Sequence, residues 1–106
     1  MVIYSDTSIE DLQNILYGLV TWEKHPLNIE HAESYVDDIR SVCDSLDKIS
    51  YHAKTTYAAH SHYGKHVYAY KRNRQTTWYI VYNIDFYSNI YVQKIINNHI
   101  TVVFAN

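Results

Sequence analysis

Residues 63–99 read YGKHVYAYKRNRQTTWYIVYNIDFYSNIYVQKIINNH, three β-branched and aromatic runs split by short polar segments. The reading of this stretch decides the fold, because strands alternate their side chains between two faces. In the first run His66, Tyr68, Tyr70 and Arg72 project one way and Val67, Ala69 and Lys71 the other. Residues 73–76 form a turn. In the second run Trp78, Ile80, Tyr82 and Ile84 alternate with Thr77, Tyr79, Val81 and Asn83. The apolar set is predicted to meet a core, and Tyr79 to lie on the opposite, open face. Residues 85–89 turn the chain again. The third run, from 90 to about 96, loses its alternation at Lys94, Ile95 and Ile96, the sign of a bulge or an end twist. Residues 101–104 are a further apolar, β-prone run, either an edge strand or a tail meant for a partner.

Ahead of these strands the period changes. Val2, Ile3 and Tyr4 make a short β-prone run. Ser8, with Asp11 three residues on, resembles a capping box. Ile9, Leu12, Ile15, Leu16, Leu19 and Val20 then recur at helical spacing, predicting an amphipathic helix over about 9–22. The only proline, Pro26, falls in the break that follows, and Asn28 is placed to cap a second helix over roughly 29–49. Ala32, Tyr35, Val36, Ile39, Val42, Cys43, Leu46 and Ile49 form the apolar side of that helix, and its carboxylates occupy the solvated side. Strand, helix, helix and then antiparallel strands define an α+β chain. The expected architecture is an N-terminal strand and an antiparallel helical hairpin on one face of a mostly antiparallel sheet of about four strands, in one domain over 1–106.

Residues 50–63 have no sustained period and read as a connection. Its His60 and His62, at i and i+2 with no third ligand at a recognised spacing, are weak as a metal signal, so no metal or other cofactor is expected. The single cysteine, Cys43, has no partner for an internal disulfide and reads as a small apolar residue in a helix. No apolar run is long enough for a membrane span, and the N-terminus lacks the pattern of a signal peptide, so the expected location is cytoplasmic. Net charge is −2, but it is unevenly spread. Residues 1–50 hold three Lys and Arg against ten Asp and Glu, whereas residues 51–106 hold six against Asp85 alone, together with five of the seven histidines. Such asymmetry points to a polyanion-facing side on an otherwise acidic molecule.

The order of these elements and several motifs together resemble the RelE/ParE superfamily of toxins from bacterial type II toxin–antitoxin modules. The likeness runs through VIYS, SIEDLQNIL, HAESYVDDIRSVCDSL, WYIVYNID and IYVQKIINNHIT, nearly the whole chain. It implies one of two activities: metal-independent cleavage of mRNA on the ribosome, or inhibition of DNA gyrase. A catalytically inactive, partner-binding member is the remaining alternative. In each case the resemblance implies a cognate antitoxin that wraps the protein, and no membrane partner. RNA cleavage at a ribose 2′-hydroxyl needs a base, an acid and cations around the phosphorus. Candidates for catalysis are His66 and His99 in proton transfer, Arg72 and Arg74 on phosphate, and Tyr79 on the base. Lys65, Tyr70, Lys71 and Asn98 are the candidates for substrate binding. The chain departs from the nuclease members at two places. Tyr79 stands where they carry a strand arginine, and Asn98 and His99 stand where they carry arginine followed by tyrosine or histidine.

Overall fold

The computed structural model describes residues 1–23 and 25–98. His99 and the apolar run at 101–104 lie outside the described residues. The architecture is α+β, as the residue pattern implies. Strand β1 (Val2–Tyr4) leads into helix α1 (Asp6–Thr21) and helix α2 (Ile29–Asp44). A one-turn helix α3 (Ala58–Ser61) precedes strands β2 (His66–Lys71), β3 (Thr77–Ile84) and β4 (Ile90–Asn97). The strands form one mixed sheet in the order β1-β4-β3-β2, with β1 parallel to β4 and the remaining pairs antiparallel.

Helix α1 begins three residues earlier than its apolar period suggests, and Ser5 rather than Ser8 caps it. The Ser5 hydroxyl accepts the Ser8 amide at 3.0 Å, and the Ser8 hydroxyl donates back to the Ser5 carbonyl at 2.8 Å. Ser8 is therefore buried in the first turn. Asn28 caps α2 as expected, accepting the His31 amide at 2.8 Å. The second helix is shorter than its pattern: it stops at Asp44, and Leu46–Lys48 form a separate 3-10 turn that still delivers Leu46 to the core.

The core lies between the helices and one sheet face. Leu12, Ile39, Cys43 and Leu46 meet Trp78, Ile80, Tyr82, Ile90, Val92 and Ile95 there. Trp78, Ile80 and Tyr82 thus take the face assigned by alternation. Their cross-strand partners Tyr70, Tyr68 and His66 must share that face. Val81 pairs with Lys94 and Tyr82 with Val92, so Gln93 is an extra residue on β4. This bulge inverts the alternation beyond it. Ile95 is returned to the core, while Lys94 and Ile96 go to the reverse face.

Where β1 ends, α1 takes over the exposed side of β4. The Asp11 carboxylate accepts the Ile95 amide at 3.0 Å and the Lys94 ammonium at 2.8 Å, filling the place of a neighbouring strand. The reverse face was expected to be bare, and in part it is not. Residues 53–55 run beside the start of β2, with Val67 N–H donating to Ala53 O at 3.0 Å and Thr55 N–H to Lys65 O at 2.9 Å. The chain then passes over the reverse of β3, where His60 lies on Tyr79 with ring centroids 4.8 Å apart. Gly64 comes so close to β3 that a Cβ there would stand 3.0 Å from the Tyr82 carbonyl oxygen.

Candidate functional site

The residues nominated from the sequence fall in several places. Alternation puts His66 and Arg72 on the helix side of β2 and Tyr79 on the reverse of β3, so the sheet itself separates them. His66 and Arg72 are also six residues apart on one strand, about 20 Å at ~3.3 Å per residue. Arg72 is engaged structurally: its Nη1 donates to Asp38 Oδ2 at 2.7 Å, and its guanidinium lies 3.8 Å from the centre of the Tyr35 ring. Burial works against its charge, but the bonds to Asp38 and Tyr70 outweigh that and leave its pKa raised. Tyr70 packs against the core with its hydroxyl 3.4 Å from Arg72. Arg74 is exposed in the β2–β3 turn, Lys71 is exposed at the end of β2, and Lys65 is exposed just before it. Asn98 accepts the Thr77 amide at 3.1 Å and donates to Gln75 O at 2.9 Å, a strut across the strand ends. These positions do not form the single constellation expected of them.

His66 does acquire a partner, and it is one that the sequence pattern did not reveal. His52 and His66 have ring centroids 6.0 Å apart. His52 Nδ1 is 2.8 Å from the Tyr82 hydroxyl, and the His66 ring stacks on Tyr82 at 5.6 Å and 26°. Tyr82 is fully buried, and burial first, then Tyr68, pushes its pKa up to about 12, so it stays a neutral phenol. Lys54 pairs with His66 as an isolated antiparallel bridge, which puts Lys54 on the same side as the two rings. The only hint in the sequence was the i, i+2 spacing of His52 and Lys54 in an otherwise aperiodic segment.

A hollow of about 1230 Å³ lies around the end of β4. Its walls come from α1 (Ile15, Leu19, Trp22), α3 and its flank (Ala59, Tyr63), and the strands (Trp78, Ile96). Among the described residues the one Lys or Arg side chain in its walls, Lys94, is paired with Asp11 and lies 5.4 Å from the centre of the Tyr63 ring. His62 is on the rim, whereas His60, within α3, is buried against Tyr79, so the two do not act together. Burial lowers the pKa of His60, and its Nε2 has no hydrogen-bond partner. Among the described residues no group of three or more His, Cys, Asp or Glu is placed to hold a metal ion, and no helix is long and apolar enough to cross a membrane. Comparison with protein-family models, with curated proteins and with solved structures finds no match to the chain.

Proposed function

We propose that the chain is the toxin of a type II toxin–antitoxin module, a RelE/ParE-type protein held inactive by a segment of its antitoxin. The observation that carries this reading is the cleft at the end of β4, about 1230 Å³ and walled mainly by Ile15, Leu19, Trp22, Trp78 and Ile96. Small-molecule pockets run to about 300–1,000 Å³, and this one exceeds them. Nucleic acid calls for cations, whereas among the described residues the one lysine of the cleft, Lys94, is already neutralised by Asp11. An apolar face of a protein segment meets both conditions, and segments that fold on binding use such grooves.

The action proposed for the free toxin is cleavage of mRNA on the ribosome, supported by the two imidazoles beside Lys54. A second reading, inhibition of DNA gyrase, is favoured by Tyr79 at the position of the nuclease arginine. Expression of the chain alone should arrest growth, and co-expression of the product of an adjacent reading frame should relieve the arrest. Ala59→Arg, which puts a guanidinium into the cleft wall, should abolish relief while leaving the arrest intact. Mapping of mRNA ends against supercoiling assays separates the two targets. Growth unaffected by abundant, folded protein rules out the toxin reading.

A further inference from the structure

We infer that His52 and His66 form a proton-transfer pair for RNA phosphodiester cleavage, with Lys54 binding the phosphate, at the β2 edge. The inference deepens the toxin reading by naming the site of RNA cleavage, and its residues are not the set expected from the sequence.

Three observations support the pair. First, the two rings are fixed: His52 by the bond from Nδ1 to the buried Tyr82 hydroxyl, His66 by stacking on the Tyr82 ring. A rigid tyrosine thus orients two imidazoles that belong to different chain segments. Second, Nδ1 of each ring is turned inward, bonded in His52 and buried in His66, which leaves Nε2 as the outward atom of both. Third, the surroundings suit an anion. Lys54 shares the side of His66 by strand pairing. Each ring meets Tyr82 from β3, and the two rings meet each other.

The reaction needs one ring neutral and the other protonated. The neutral imidazole takes the proton of the ribose 2′-hydroxyl as the oxygen's electron pair forms a bond to phosphorus. The P–O5′ bond breaks, and the imidazolium delivers its proton to the departing O5′. The products are a 2′,3′-cyclic phosphate and a 5′-hydroxyl. The two rings end in exchanged protonation states, which solvent resets, and no metal or redox partner enters the balance.

The test uses the full chain with a fluorescent single-stranded RNA, free and on programmed ribosomes, in EDTA. The inference expects cleavage in at least one setting, cyclic phosphate ends and a bell-shaped pH profile. His52→Gln and His66→Gln should each lose at least about 100-fold, the usual scale of general acid–base catalysis, and each should remove one limb of the bell. Lys54→Ala should raise KM more than it lowers kcat. The 2′-deoxy form of the oligonucleotide should shift the C2–H resonances of both histidines in the unaltered protein, a readout that does not depend on any variant folding. No cleavage in either setting overturns the inference, as does cleavage unchanged in both glutamine variants or an unmoved pair of resonances. Growth arrest relieved by the antitoxin would still stand in that event. Conversely, cleavage without arrest would retain the pair and remove the toxin reading.

Discussion

The chain has two glycines, and replacing each with alanine should move stability in opposite directions. Gly18 lies inside α1, and a Cβ there meets nothing within 4 Å. Alanine at a helical glycine gains about 1 kcal/mol, because the unfolded chain loses freedom that the helix never had. Gly64 has no positive φ, so its need is for space. A Cβ built on it stands 3.0 Å from Tyr82 O, 3.1 Å from Val81 Cγ1 and 3.2 Å from the Tyr82 carbonyl carbon. Two of these neighbours are backbone of a central strand, paired on both sides by β2 and β4, and such atoms do not swing aside. Overpacking of this kind costs about 1–3 kcal/mol, against an entropic gain of about 0.4–1 kcal/mol. The net expectation is a loss of about 1–2 kcal/mol. At about 4–8 °C per kcal/mol for a domain of this size, Gly64→Ala should melt some 5–15 °C lower and Gly18→Ala several degrees higher. Urea unfolding followed by far-UV circular dichroism measures both. Equal signs in the two variants, or a stabilised Gly64→Ala, would refute the close approach of residues 57–64 to β3.

Asp11→Ala strands the Ile95 amide and leaves Lys94 without its partner, so it should cost about 1–3 kcal/mol in urea unfolding. Ile39→Ala empties a fully buried site between α2 and the sheet and should cost about 2–5 kcal/mol, read by the same assay. His60 has a pKa lowered by burial from its ordinary 6.5, so the unfolded chain takes up a proton first as the solution is acidified. Stability should therefore fall as pH drops below about 6.5 and level off beneath the folded-state pKa. His60→Phe should flatten that slope, and an unaltered slope in the variant contradicts the assignment. Tyr82→Phe removes the bond to His52 and should cost about 1 kcal/mol while leaving the fold intact, as judged by near-UV circular dichroism.

Much of the fold was legible because period and packing agree. Trp78, Ile80 and Tyr82 alternate strictly, and all three are buried under the helices. The break of alternation near Lys94 is a one-residue bulge at Gln93. Boundaries were less legible. Asp6 and Thr7 carry no apolar period, yet Ser5 can cap a helix that starts with them. Ser45 ends α2 although Leu46 and Ile49 continue its spacing, since a 3-10 turn presents the same apolar side. The site was read least well, for a reason that lies in the sheet. Residues close in sequence, such as Tyr70, Lys71 and Arg72, were grouped by chemistry, but neighbours along a strand point to opposite faces. What brings His52 to His66 is an isolated backbone bridge between Lys54 and His66, a long-range pairing with no local period.

The carboxylate of Asp11 has a consequence for assembly. By occupying the amide of Ile95, it denies the outer half of β4 to any strand that might add itself to the sheet. Polymerisation by sheet extension is blocked there, and a visitor to that end of the molecule must be held through its side chains. Specificity at the cleft then follows from the shape and polarity of the guest's residues, with little help from its main chain.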